Sequence, residues 1–150
     1  MSNQTTPQGP HQGQLILTDG KPLAETDAAM ILIHGRGASA YDIMELGYLL
    51  GGEQFTLLAP QAANNTWYPF SFLAPLANNE PYLTSALDTV AGLVAQVEEA
   101  GIPASNIILA GFSQGACLAS EFAARNARRY GGLLLFSGGL IGPPDLSLIH

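Results

Sequence analysis

Apolar residues in this chain form short continuous runs, separated by stretches in which they recur every three to four positions. Ala28 to Ile33, Phe55 to Ala59, Ile107 to Ala110 and Leu133 to Phe136 are the continuous runs. Runs of this length mark strands buried on both faces, as in a parallel sheet covered by helices. Tyr41 to Leu50 has helical spacing and meets a stop at Gly51-Gly52. From Pro81 onward, Leu83, Ala86, Leu87, Val90, Leu93, Val94 and Val97 share one broad helical face, which Gly101 and Pro103 end. Gln114 to about Arg128 reads as a third helix, with Arg125, Arg128 and Arg129 complementing the dipole at its end.

Other stretches are less regular. Gln14 to Thr18 and the residues near Pro22-Leu23 flank Asp19-Gly20, which signals a hairpin. Gln61 to Asn79 is a long loop carrying Trp67-Tyr68-Pro69-Phe70-Ser71-Phe72. Residues 1–12 are polar and rich in Gln, Thr, Pro and Gly, so a disordered tail is expected there, with one partial domain over 13–150. From residue 28 strands and helices alternate, which implies a mostly parallel sheet with helices on both faces. Such sheets carry chemistry beyond the C-terminal ends of their strands. His34, the loop of the 60s, Ser113 and Ser137 all fall at such ends.

Composition narrows the partners. With 47% hydrophobic and 11% charged residues among 150, the chain has the material for one packed domain. Twelve acidic against five basic residues give a net charge of −7, which disfavours nucleic acid and anionic membrane surfaces. No apolar run is long enough to span a bilayer, and no signal-peptide pattern opens the chain. The single cysteine, Cys117, rules out an internal disulfide framework and makes the cytoplasm the expected location. It falls among small residues, as a packing residue does. Metal-ligand spacing and a Walker-type phosphate loop are both absent, so no metal or cofactor is expected.

Chemistry concentrates at Gly111-Phe112-Ser113-Gln114-Gly115. A G-x-S-x-G segment between a strand and a helix can hold its serine on a turn sharp enough to present the hydroxyl, and the flanking glycines let strand and helix approach. A plain glycine-rich turn is the competing reading, but the strand before and helix after favour a nucleophile. A tetrahedral intermediate at Ser113 would need amide donors for its oxyanion. The backbone N–H of Gln114 is one candidate. The turn His34-Gly35-Arg36-Gly37 is placed to supply a second, from Arg36 or its neighbour Gly37. His34 precedes the serine, against the Ser–acid–His order of this architecture, and is expected to order the loop through hydrogen bonds. The Arg36 side chain is either a recognition group for an anionic substrate or a solvated surface arginine. The Trp67 to Phe72 cluster either lines a substrate pocket or packs its loop on the sheet.

Three segments together, the strand–HGRG–helix unit, AP…TWYPFSF and GIPASNIILAGFSQGACLA, make the chain resemble the phospholipase/carboxylesterase family. The likeness runs from about Ala28 to Gly142 and is most specific at GFSQGA and Ser137-Gly138-Gly139. It implies an α/β-hydrolase fold and hydrolysis of a small carboxylic ester or thioester without a cofactor. By resemblance Ser113 is the nucleophile, Arg36 and Gln114 supply the oxyanion amides, and Gly35, Gly37, Trp67, Tyr68 and Phe70 lie about the substrate. Lysophospholipase or acyl-protein thioesterase activity is the variant within that family. A non-catalytic ligand- or protein-binding fragment is the alternative outside it. A homodimer is compatible with the resemblance.

Many members have Leu where this chain has Arg36, which leaves a backbone donor unaffected. A second departure is larger. The family continues past its Ser-Gly-Gly strand through strands bearing first the catalytic aspartate and then the histidine, and Leu140 to His150 matches neither. Two further strand–helix units, about 60 residues, are expected to be missing. Asp145 and His150 follow Ser113 in the right order, but no strand carries either toward it. The expectation is therefore a curtailed hydrolase whose own turnover is impaired, with Leu133 to Phe136 left as an apolar edge.

Overall fold

The computed structural model describes residues 9–137. It contains five strands, β1 (Ile16–Gly20), β2 (Ala29–Ile33), β3 (Thr56–Pro60), β4 (Ile107–Phe112) and β5 (Gly132–Phe136), with helices α1 (Ala40–Leu49), α2 (Tyr82–Glu99) and α3 (Gln114–Arg125). The strands form one sheet in the order β1-β3-β2-β4-β5. β1 runs antiparallel to β3, and every other pairing is parallel.

Burial on both faces of the sheet explains the continuous apolar runs. Successive side chains of a strand point to opposite faces. Ala29, Ile31 and Ile33 of β2 therefore join α2 and α3 in one cluster, while Met30 and Leu32 join Ala40, Ile43 and Met44 of α1 in the other. α1 begins at a capping box, Ser39 with Asp42, and its stop is Gly51 in the left-handed region at φ 98°. The apolar face read for α2 is buried throughout, from Leu83 to Val97. Helices thus cover both faces of a mostly parallel sheet.

Tertiary structure departs from the sequence reading in three places. Asp19-Gly20 closes no hairpin with the residues that follow, because β1 pairs with β3 and Lys21 N–H bonds to Phe55 O at 2.9 Å. Gly20 adopts φ 74°, and a Cβ there would stand 2.2 Å from Phe55 O, so glycine serves this close approach rather than a two-residue turn. α3 ends at Arg125, and Arg128 lies beyond it, bonded to Glu98 of α2. Arg125 alone of the three arginines is at the helix end, where it pairs with Glu121.

The third departure concerns the expected tail. His11 is buried, and Gln12 donates to Ser85 O (2.8 Å) and Thr89 Oγ1 (3.1 Å) of α2. Polar residues are satisfied here by specific partners far along the chain, which no local pattern reveals. Residues 1–8 lie outside the described residues, as do Asp145 and His150. At the other side of the sheet, β5 has β4 as its one neighbour among the described residues. Leu133, Leu135 and Phe136 are each exposed by more than a third.

Candidate active site

Parallel pairing brings the C-terminal ends of β2 and β4 side by side, Ile33 opposite Gly111. β4 continues through Gly111 and Phe112, and Ser113 stands between it and α3 at φ 55° and ψ −114°. That conformation turns the chain in one residue and leaves Ser113 exposed. The flanking glycines are required by contact. A Cβ on Gly111 would lie 2.4 Å from Gly115 O, and one on Gly115 only 2.0 Å from Ile33 O. Strand, turn and helix are therefore packed backbone against backbone, and β2 is part of that packing.

The turn after β2 lies alongside Ser113. A Cβ added to Gly35 would stand 3.0 Å from Phe112 O and 3.5 Å from Ser113 Cβ. The N–H of Ser113 is taken by Phe136 O at 2.8 Å. Gly37, at φ 80°, donates its N–H to Asn65 O at 2.7 Å, so that amide of the turn is already engaged. Neither the Arg36 N–H nor the Gln114 N–H, first in α3, has an acceptor among the described residues. Two free amide donors thus flank the serine turn, one with the positive end of a helix dipole behind it.

His34 is a structural hub. Its Nε2 accepts the Ala62 N–H at 3.0 Å, and a backbone N–H can only donate, so that nitrogen carries no proton. Nδ1 therefore holds the hydrogen and donates to Gly35 O at 2.7 Å. Burial pushes its pKa below the usual histidine value, in keeping with this neutral tautomer. Both nitrogens are committed, so His34 is no base for Ser113 and orders the loop as expected.

The loop of the 60s corrects the sequence reading most. Trp67 and Tyr68 are fully buried, so their side chains form the loop's foundation rather than a face for substrate. Trp67 Nε1 donates to His34 O at 2.8 Å. The Tyr68 hydroxyl meets Cys117, itself buried, and burial followed by that contact raises the phenol pKa. Phe70 is 56% exposed, which makes it the one aromatic of the three placed to meet a bound molecule. Beside the turn opens a cavity of about 300 Å³, walled mainly by Ala38, Ile43, Leu46 and Phe112, with His34, Gly35 and Asp42 completing its lining.

Several clamps hold this loop, and the sequence reading missed most of them. The Gln114 side chain accepts the Trp67 N–H at 2.8 Å and donates to Tyr68 O at 2.9 Å. Arg36, although exposed, donates to Pro69 O (3.1 Å) and Phe70 O (2.9 Å), so its guanidinium ties down the loop from the surface. Buried Asn79 accepts the Phe70 N–H at 2.7 Å, and Asn65 donates to Ala38 O at 2.7 Å. Asn64 and Asn65 both have positive φ, which Asn tolerates best among residues with a side chain. That Asn pair is the single local signal from which part of this network could have been read. Among the described residues no cluster of His, Cys, Asp or Glu could hold a metal, and no helix is long and apolar enough to cross a membrane.

Comparison with known proteins agrees with this architecture. A phospholipase/carboxylesterase from Dyadobacter fermentans is 47% identical and superposes with a TM-score of 0.87 over 93% of this chain. The chain spans 66% of that protein, just under two thirds of its length. Acetyl xylan esterase from Aspergillus awamori (17% identity, TM-score 0.61, 84% of this chain and 47% of that one) shares the fold. So does SOBER1 from Arabidopsis thaliana (19%, 0.64, 81% and 65%). The family profile described as phospholipase/carboxylesterase matches residues 20–148. With most of its length inside that match, the chain belongs to the phospholipase/carboxylesterase family, on an α/β-hydrolase fold.

Proposed function

We propose that the site performs carboxylic-ester hydrolysis through an acyl-enzyme on Ser113. The observation that carries this reading is the backbone at Ser113, φ 55° between a buried strand and a helix, with free amides of Gln114 and Arg36 on either side. In the reaction the Ser113 oxygen attacks the ester carbonyl carbon and its proton passes to a base. The oxyanion is held by the two N–H groups, each worth about 3 kcal/mol in the transition state. Collapse expels the alcohol, which takes up the proton, and water then releases the acid by the same steps reversed. The apolar walls of the cavity beside the turn suit an uncharged arm of the ester.

Among the described residues no histidine is available as the base, since His34 and His11 both use their two ring nitrogens on the backbone. Residues 9–137 therefore supply nucleophile and oxyanion donors only. A serine so equipped but lacking its base keeps about 10³–10⁴-fold over water. The test is incubation of the chain with an aryl acetate and with a fluorophosphonate, followed by mass analysis of the peptide holding Ser113. The expected result is a slow adduct on Ser113 that Ser113→Ala abolishes. An adduct rate no greater than that of an unfolded chain overturns the reading.

A further inference from the structure

Trp67 is the one tryptophan in the chain, fully buried, and two imidazoles, His11 and His34, are each centred 5.1 Å from its ring. The two histidines lie 23 positions apart, yet they serve adjacent residues of one loop. His34 Nε2 accepts the Ala62 N–H and His11 Nδ1 accepts the Ala63 N–H, both at 3.0 Å. The remaining nitrogens donate, His34 Nδ1 to Gly35 O and His11 Nε2 to Trp67 O, each at 2.7 Å. The two accepting bonds require neutral rings, while the two donating bonds survive protonation. Adding a proton turns an acceptor nitrogen into a donor facing a donor, and buries a positive charge beside an amide hydrogen.

We propose that His11 and His34 form a proton-operated latch on residues 61–71, holding that loop against the Ser113 turn while both rings are neutral and releasing it when either takes up a proton. Release would undo the Gly37–Asn65 tie and free the segment carrying Phe70. It would also unseat the His11 strap from Ser85, whose Oγ accepts the His11 N–H at 2.9 Å.

The surrounding groups favour the neutral state on balance. Asp42 of α1 draws His34 toward protonation, while His11 opposes it. Around His11, α2 presents the ring of Tyr82 at 6.1 Å and places Asp88 along the adjoining groove. Arg36, next to the latch on the turn, directs its charge to Pro69 and Phe70 carbonyls. From α3 come the neutral Gln114 and Glu121, the latter acting on Tyr68. β2 and β3 contribute apolar side chains. Burial is the largest influence on both rings and holds both pKa values below the ordinary one. A depressed histidine pKa stabilises the latched form above the unfolded value, about 6.5, and that stability is lost as pH falls through the folded value.

The experiment reads the loop and does not depend on turnover. Amide protection by NMR, imidazole titration and Trp67 emission are followed between about pH 8 and about pH 4.5. Protection at Ala62 and Ala63 is expected to fall by up to about tenfold per pH unit for each proton taken up. Trp67 emission drops in parallel, since a protonated imidazole quenches indole, while β4 amides keep their protection. His11→Gln and His34→Gln preserve one donor and one acceptor without titrating, so each single variant keeps only the transition of the remaining ring and the double variant makes both amides insensitive to pH. Ala62 and Ala63 protection unchanged across the imidazole titration overturns the proposal. Loss that coincides with loss in β4 overturns it too, being acid unfolding of the whole domain. Should a glutamine variant fail to fold, the comparison of loop and β4 amides in the native chain decides alone.

Discussion

At Ser113 the backbone occupies a region that a residue with a Cβ enters at a cost on the order of 1–3 kcal/mol. Glycine would relieve that strain and give back about 0.5–1 kcal/mol through the greater freedom of the unfolded chain. Ser113→Gly is therefore expected to stabilise the domain by about 1 kcal/mol, read as a higher urea midpoint with unchanged slope. Ser113→Ala, which keeps the strain, should stay close to the native value. If the glycine variant unfolds no later than the alanine one, the turn is not strained. Gly115 illustrates the opposite pressure, because even a methyl group there would collide with the carbonyls of Ile33 at the end of β2 and of His34 just after it. Both glycines of the motif and the serine between them could be read from five consecutive residues, since the constraint on each is a local turn.

Among the elements, the strands and helices were legible because each announces itself by a repeating apolar pattern that the two-sided sheet then uses. The loop of the 60s had no such pattern. Its foundation is a set of single polar contacts from Gln114, Arg36, Asn79, His34 and His11, which are scattered over the chain. For this reason the chain alone left Trp67 and Tyr68 open between pocket lining and loop packing, and only the fold shows them as buried supports. Gln114 is the clamp that joins the loop to α3. Removing its side chain leaves the Trp67 N–H and Tyr68 O buried and unpaired, a loss of about 2–3 kcal/mol. Thermal unfolding of Gln114→Ala should show that loss, with Trp67 emission shifted to the red. A variant as stable as the native chain would mean that water replaces the amide.

At the scale of the molecule, the described residues cover the sheet unevenly. β2, β3 and most of β4 are buried, while Leu133, Leu135 and Phe136 on β5, with Phe112 beside them, present apolar surface at an edge. An edge of this kind pairs readily with other chains. Leu135→Lys places a charge on it and is expected to lower self-association in sedimentation velocity while changing stability by no more than about 1 kcal/mol. Identical concentration dependence for both proteins would dismiss the edge as a site of association.

Apolar periodicity and one glycine-rich motif were enough for the sequence to specify a helix-covered parallel sheet with a serine at a strand–helix junction. Both rest on neighbours in the chain, within one turn or one strand. Only the folded structure decided which amide of the turn after β2 stays free, that Arg36 fastens a loop, and that two neutral histidines flank a buried tryptophan. Those outcomes depend on which polar groups meet across dozens of residues, and hydrogen-bond partners at such separations leave no periodic trace in the chain.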